Sequence, residues 1–509
     1  MAQEKFYITT PIYYVNDSPH IGHAYTTLAC DVIARFMRLS GIKVKFLTGT
    51  DEHGQKVEKS AATAGKSPQA FTDEVSQRFR DLCKAMNFSN DDFIRTTELR
   101  HKKSAQALWK KLEENGHIYL DKYSGWYSVR DEAFYQEAEL VNGKAPTGAD
   151  VEWVEEESYF FDLSKWQEKL LQYYEKNPDF IAPESRRNEV ISFVKGGLKD
   201  LSISRTTFKW GIPVPGNEKH IMYVWFDALV NYLSADGFPD STSFWPADLH
   251  VVGKDILRFH AVYWPAFLMA ANLPLPKRIF ANGWWTVEGE KMSKSSGNVV
   301  APTDLINEFG LDQTRYYLLR EFPFGQDGNF SHERMIAVVN SELANNVGNL
   351  VQRTLSMIQK NCNGAVPTYE GVGRDVDKKL KELVQVTKKE TPELVRKKYS
   401  DCKFQEIILE IIEMSSALNA YIDSEAPWVQ KKSNPQLMEA ILYYLAEGIR
   451  CIAIMLQPFM PDSAEKILDL LATPQDQRTF EHLKPAYALK PGTKLPEPKA
   501  IFPRYIEKK

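Results

Sequence analysis

The chain has 509 residues, 43% hydrophobic and 26% charged, with a formal net charge of −4. That length exceeds what one core supports and predicts several domains, and the composition is that of an ordinary globular protein. The charge gives no global basic field, so any nucleic-acid contact has to come from local patches. No uninterrupted apolar run reaches the length of a membrane helix.

The first block reads as α/β. Residues 6–12 have a strand pattern, and the stretch after His23 places Leu28, Val32, Phe36 and Leu39 on one helical face, with Gly41 as a stop. A second strand over 44–48 completes a βαβ unit. It puts Asp51, Glu52 and His53 at the carboxyl end of that strand, where open parallel sheets bind ligands. Polar helices are predicted over about 55–115. The character changes over 116–220, with Trp126, Tyr127, Phe134 and Tyr135, an acidic stretch at 152–157 and a Pro-Val-Pro at 213–215. This predicts an inserted subdomain. Strand-like runs return at 222–226, 249–252 and 278–281. From about 332 to 470 the pattern is helical, as in Phe404, Ile407, Ile408, Ile411 and Ile412 on one face. A Pro- and Lys-rich tail follows. The architecture expected is an α/β catalytic half followed by a helical half.

Two short segments carry the chemistry. Pro19-His20-Ile21-Gly22-His23 opens a helix after a strand, where free backbone N–H groups and the helix dipole favour anions. His20 and His23 read as phosphate contacts, with ordinary helix-start histidines or a metal pair as alternatives; Asp17 and Asp31 are poorly placed to complete a metal site. Lys291-Met292-Ser293-Lys294-Ser295 offers two ammonium groups and two hydroxyls on a loop able to close over phosphates. Together, in this order, the segments point to an ATP-using enzyme that activates a carboxylate as an adenylate. A Walker A loop is missing, since Gly65-Lys66-Ser67 lacks the glycine five residues earlier, and no Gly-x-Gly-x-x-Gly opens a helix.

Asp51, between Gly49 and Gly54, reads as a turn aspartate or as a carboxylate for a substrate ammonium. Trp225, Asp227, Tyr232, Ile256 and His260 read either as core or as an apolar pocket with few polar handles, of a kind that suits a soft thioether. In the helical half, Asn349 and Arg353 stand one turn apart, and Pro427-Trp428 interrupts a helical region. Arginine and an exposed tryptophan suit unstacked RNA bases.

The chain resembles the methionyl-tRNA synthetases, class I aminoacyl-tRNA synthetases, over essentially its full length. The resemblance rests on the two segments above and on Ile12-Tyr13-Tyr14-Val15-Asn16, Thr48-Gly49-Thr50-Asp51-Glu52-His53-Gly54, Tyr223-Val224-Trp225-Phe226-Asp227-Ala228-Leu229 and Gly253-Lys254-Asp255-Ile256-Leu257-Arg258-Phe259-His260. It implies a Rossmann-type catalytic domain in two halves (1–115 and 221–285) around a connective-peptide insertion (116–220). A stem-contact fold with the Lys-Met-Ser-Lys-Ser loop (286–340) and an all-α anticodon-binding bundle with its tail (341–509) would follow. It implies a methionine site of Ile12, Tyr14, Asp51, Trp225, Ala228, Leu229, Tyr232, Ile256 and His260, with Asp51 on the α-ammonium. ATP would meet His20, Gly22, His23, Lys291, Ser293 and Lys294, of which His20, His23, Lys291 and Lys294 would act in catalysis. Arg205 matches an arginine near the active site, and Asn349, Arg353, Pro427 and Trp428 match the anticodon readers. The reaction implied is ligation of L-methionine to tRNA(Met), using ATP with Mg²⁺.

One departure from the family pattern stands out. Many members carry zinc-binding cysteine knuckles in the insertion, but residues 116–220 hold no cysteine, so no structural zinc is expected. The cysteines, Cys30, Cys83, Cys362, Cys402 and Cys451, form no C-x-x-C pair and are expected to be reduced thiols. Without an appended dimerising module a monomer is expected. With no basic-then-apolar leader after Met1 a cytoplasmic location is expected, with no membrane or DNA partner. Other class I synthetases, for cysteine, valine, leucine or isoleucine, and a catalytically silent RNA-binding relative are the alternatives. The missing editing insertion and zinc ligands count against the former, and the retention of both segments and Asp51 against the latter.

Overall fold

The computed structural model describes residues 4–15, 18–131, 133–287, 289–291, 298–369 and 392–506. The chain divides into two compact units. One is Lys5–Cys30 with Val44–Asn282; the other comprises the described residues of Met1–Glu4, Asp31–Lys43 and Gly283–Lys509.

In the first of these units the strands are β1 (Lys5–Thr9), β2 (Tyr13–Tyr14), β3 (Lys43–Asp51), β4 (Asp92–Arg95), β5 (Ile118–Ser128), β6 (Ala133–Tyr135), β7 (Glu152–Phe161), β8 (Ile181–Ala182), β9 (Leu201–Ser202), β10 (Ser204–Arg205), β11 (Pro213–Val214), β12 (Asn217–Met222), β13 (Leu249–Gly253) and β14 (Ile279–Asn282). Seven of them form one sheet in the order β2-β3-β1-β13-β14-β8, with β4 on β3. The pairs β1–β13, β13–β14, β14–β8, β2–β3 and β3–β4 are all parallel. Tyr7, Ile8, Phe46, Leu47, Val251 and Val252 are fully buried, as expected of strands covered on both faces. β3 and β4 approach closely at Gly49, opposite Ile94; a Cβ there would lie 2.0 Å from the Ile94 carbonyl oxygen. The connection from β1 runs to β3 on one side, while β13 pairs on the other. The strand order therefore reverses at the carboxyl end of β1, the place where such sheets bind ligands.

The expected strand over 6–12 is shorter than its apolar run. β1 ends at Thr9, and after Pro11 the chain pairs again as β2, with Tyr13 opposite Thr50 and Tyr14 opposite Asp51. Strand β4 lies inside the stretch expected to be helical. The expectation of a strand over 222–226 is corrected. β12 stops at Met222, and a helix, Val224–Leu229, begins after Tyr223. A short buried apolar run fits strand and helix equally well by periodicity. Within 116–220, a four-stranded antiparallel sheet, β6-β5-β7-β9, takes its last strand from beyond the helices Gln167–Lys176 and Glu184–Lys195. β8, between those helices, joins the parallel sheet beside β14.

The second unit holds a small sheet of β15 (Trp285–Val287), β16 (Glu290–Lys291) and β17 (Gly328–Phe330). Helices Asn349–Asn361, Phe404–Glu425, Pro427–Ser433, Pro435–Leu456 and Pro461–Leu470 follow among others. Three of these begin with a proline, whose missing N–H is harmless in the first turn. Phe404, Ile407, Ile408, Ile411 and Ile412 are all buried, as the periodicity requires. Arg315, fully buried, donates to Asp31 Oδ2 at 2.7 Å and to the carbonyls of Phe459 and Pro458. The tail closes back on this unit, where Tyr505 stacks on Phe309 and exchanges hydrogen bonds with Asn340. No described helix is long and apolar enough to cross a membrane.

Candidate active site

His20 and His23 lie at the start of the helix Ile21–Leu39, beyond the carboxyl end of β1. Their rings are 3.9 Å apart. The Gly22 N–H donates to His20 Nδ1 and the His20 N–H to His23 Nδ1, both at 3.1 Å. With each Nδ1 accepting, the ring hydrogen of each sits on Nε2, as a donor suited to anionic oxygen. Burial, reinforced by His20, holds His23 well below the ordinary histidine value, so His23 donates as a neutral imidazole. Gly22 leaves room for this arrangement: a Cβ would stand 3.0 Å from His20 Cε1, so the ring would have to give by a few tenths of an ångström. His23 is backed edge-on by Tyr13 and Phe79.

Asp51 is buried at the end of β3. The turn that follows is locked from several directions. Glu52, fully buried, accepts a bidentate pair from Arg95 at 2.7 and 2.9 Å and further bonds from Thr50 and Thr97. Trp210 Nε1–H donates to the Glu52 carbonyl at 2.6 Å. His53 Nδ1–H donates to Asp227 Oδ2 at 2.6 Å, and His101 Nε2–H donates to Oδ1 of the same carboxylate at 2.7 Å. Burial alone would raise the Asp227 carboxyl, but the two imidazoles hold it down at about 2.

The helix Val224–Leu229 presents Trp225 part-buried beside the main core, with Ala228 and Leu229 sealed behind it. Trp225 stacks on Phe259 at 3.7 Å and meets His260 edge-on at 6.2 Å. His260 lies in a widened π-helical turn, Phe259–Tyr263, a geometry frequent at functional sites. Its Nδ1–H donates to the Ile256 carbonyl at 2.9 Å, so Nε2 accepts from the Tyr232 hydroxyl at 2.7 Å. Burial pushes His260 down to about 4, against a small upward pull from the Ile256 carbonyl. Ile12, Tyr14 and Ile256 are part-buried against the same core. His250 packs its ring 4.2 Å from Tyr232 and is held through Nδ1 by Thr9.

Arg205 is buried on β10. It donates to Ser202 Oγ and the Ser204 carbonyl and lies over the Tyr223 ring at 4.6 Å. In the helical unit, Arg353 donates to Asp423 at 2.6 Å with its guanidinium 5.7 Å from the centre of the Trp428 ring. Trp428 is 45% exposed. Asn349 is exposed one turn before Arg353, and Pro427 opens a helix after Ala426, which has φ 42. Lys291 ends β16, while Ser293 and Lys294 lie outside the described residues.

Sequence reading put Asp227 in a candidate pocket cluster and His53 at a ligand-binding strand end without seeing that the two are bonded, and it singled out none of His101, His250, Phe259 and Trp210. His53 and Asp227 stand in motifs that were recognised. His101 sits in a lysine-rich helix with no local signal, because its partner is 126 residues away.

A parallel sheet with paired imidazoles at its switch point and a buried carboxylate on the neighbouring strand offers donors for an anion beside an acceptor for a cation. The sequence model described as tRNA synthetases class I (M) matches residues 6–151 and 137–355, and that of the anticodon binding domain of methionyl tRNA ligase matches 371–509. The methionine–tRNA ligase of Rickettsia felis is 59% identical over 99% of both chains, and that of Mesorhizobium japonicum 54% identical over 100% of this chain and 99% of its own. The Mycobacterium tuberculosis methionyl-tRNA synthetase in complex with methionyl-adenylate superposes with a TM-score of 0.94 at 49% identity, covering 99% of this chain and 100% of that one. The chain belongs to the methionyl-tRNA synthetase family.

Proposed function

We propose that this chain activates L-methionine with ATP, giving methionyl-adenylate and pyrophosphate, and then transfers the methionyl group to the 3′-terminal adenosine of tRNA(Met). The observation that carries the reading is the pair of Nε2–H donors of His20 and His23 at the switch point, on the same sheet edge as the buried Asp51 carboxylate. In the first step a methionine carboxylate oxygen attacks the α-phosphorus and the bond to pyrophosphate breaks. Positioning and charge stabilisation matter most there. His20, Gly22 and His23 bind the triphosphate; Lys291, Ser293 and Lys294 meet charge developing on pyrophosphate. Asp51 takes the α-ammonium. Ile12, Tyr14, Trp225, Ala228, Leu229, Tyr232, Ile256 and His260 form the thioether pocket, with Arg205 near the reacting groups. Asn349, Arg353, Pro427 and Trp428 read the anticodon.

Mg²⁺ enters with ATP, since a polyphosphate calls for a hard divalent ion. No zinc is proposed for 116–220, which supplies no thiolate. The domain divisions at 115, 220, 285 and 340, a monomeric state and a cytoplasmic location complete the proposal.

The test is amino-acid-dependent ATP–pyrophosphate exchange with each of the twenty amino acids, Mg²⁺ present and no tRNA. Exchange with methionine alone is expected. Exchange with another amino acid would move the chain to a different class I specificity, and no exchange from folded protein would overturn the activation step. Lys294→Ala is expected to lower kcat while leaving the methionine KM in place.

A further inference from the structure

The proposed methionine contacts lie on two stretches of chain far apart in sequence. Asp51 ends β3, whereas Trp225, Ala228 and Leu229 ride on the helix Val224–Leu229. An amino acid is short, so an ammonium contact at one end and a thioether pocket at the other must be held in register to within a fraction of its length.

Asp227 stands on that helix between Trp225 and Ala228 and is 0% exposed. Each of its carboxylate oxygens is taken by one imidazole, Oδ2 by His53 and Oδ1 by His101. His53 is two residues beyond Asp51 in the same turn, and that turn is stiff. Arg95 and Thr97 fix Glu52, Trp210 binds the Glu52 carbonyl, and the Gly54 N–H returns to the Trp210 carbonyl at 3.0 Å. A stiff turn and a helix joined by a short charge-assisted bond, away from water, move together or break that bond.

We propose that Asp227 is a positioning residue that sets the register between the ammonium-binding and thioether-binding ends of the methionine site, with His53 as the arm that transmits it to Asp51. This rests on the reading of Asp51 and Trp225 given above. His101 serves a different purpose. It belongs to the helix Leu99–Glu114 and holds the other carboxylate oxygen, its ring hydrogen bonds going to Asp227 and, through Nδ1 at 3.1 Å, to Ser234 rather than to the Asp51 turn. The two imidazoles are thus similar in chemistry and unequal in consequence, and a general loss of packing would not separate them.

The experiment measures KM for methionine and for ATP separately by ATP–pyrophosphate exchange, with a thermal melt of each full-length variant. His53→Ala and Asp227→Asn are expected to raise the methionine KM about tenfold or more while the ATP KM stays within about twofold. His53→Gln, which keeps a side-chain N–H for Asp227, is expected to recover most of the loss. His101→Ala is expected to lower the melting temperature and leave the methionine KM within about twofold. Equal effects of His53→Ala and His101→Ala on the methionine KM would overturn the proposal, as would melting losses with KM unmoved. Should Asp227→Asn fail to fold, the two histidine variants decide the matter. Asp51→Asn and Trp225→Ala serve as controls. If neither raises the methionine KM, the reading of the site has failed; if both do and His53→Ala does not, the register role alone has failed.

Discussion

Tyr232 donates its phenolic hydrogen to Nε2 of His260 at 2.7 Å, and the direction of that bond is set by the opposite side of the imidazole, where Nδ1–H is committed to the Ile256 carbonyl. His260 is therefore a neutral acceptor with no freedom of tautomer. Tyr232→Phe would leave a buried ring nitrogen without its hydrogen bond, a cost of about 1–3 kcal/mol. Since His260 meets Trp225 edge-on, the expected result is a kcat/KM for methionine lowered roughly tenfold, with the ATP KM little changed. An unchanged kcat/KM for methionine would show that the bond does not shape the pocket.

The same burial gives the protein an acid sensitivity with a defined sign. His260 titrates at about 4 in the folded chain, below its ordinary value of 6.5, and His23 and His250 are displaced in the same direction by burial and by neighbouring imidazoles. The unfolded chain then binds more protons than the folded one below pH 6.5. Stability from the neutral His260 is fully present above that pH and is lost as pH falls towards 4, by an amount on the order of 3 kcal/mol. Denaturant melts of His260→Gln between pH 7 and pH 4 are expected to show a shallower loss than the parent. Parallel curves would remove His260 from the account.

Much of the core was legible because its signals are local. The parallel sheet followed from two apolar runs flanking an amphipathic stretch, and the helical half followed from faces such as Phe404, Ile407 and Ile408. The motif at 19–23 was visible because a helix start with imidazoles has a physical reason to meet phosphate. What escaped was long-range. Nothing near His101 announces Asp227, and the run over 222–226 hid a change from strand to helix because buried apolar residues suit either. The run over 6–12 looked like one strand, and nothing marked Tyr13 and Tyr14 as a second. The Pro11 break and their pairing with Thr50 and Asp51 are visible only in the fold.

Gly22 offers a sharper test of the phosphate end. Its N–H orients His20 through Nδ1, and an added methyl group would press on His20 Cε1 and Nδ1 at 3.0 and 3.1 Å. To admit it the ring would have to give by a few tenths of an ångström, which disturbs the bond. Gly22→Ala is expected to raise the ATP KM or lower kcat roughly tenfold while methionine binding without ATP stays as it was. Tryptophan fluorescence titration with methionine alone checks the second half, and a matched loss of both would assign the effect to folding.

Asp31 and Arg315 pair at 2.7 Å with both side chains fully buried. Burial lowers the Arg315 guanidinium and Asp31 opposes that effect. Removing one partner strands the other charge, which typically costs about 3–5 kcal/mol. Asp31→Leu is expected to cost that much in a denaturant melt, unlike the exposed pair Lys66–Glu74, whose removal should lie within about 1 kcal/mol. Equal costs would mean that Arg315 is held by the Phe459 and Pro458 carbonyls rather than by its charge partner.

The helical unit should separate RNA reading from amino-acid activation. Trp428 is half-exposed beside the Arg353 guanidinium, an arrangement suited to stacking an unpaired base. Such a stack contributes about 1–3 kcal/mol, so Trp428→Ala is expected to lower kcat/KM for tRNA by roughly 10- to 100-fold while ATP–pyrophosphate exchange is unchanged. Asp423 restrains Arg353 at 2.6 Å, but as an exposed pair it is worth at most about 1 kcal/mol. A base edge or phosphate can therefore displace it. Asp423→Ala should leave the tRNA KM unchanged or lower it, most visibly at low ionic strength, where the carboxylate's competition is least screened. A large rise in the tRNA KM would instead make Asp423 part of the RNA-binding surface, aligning Arg353 rather than competing for it.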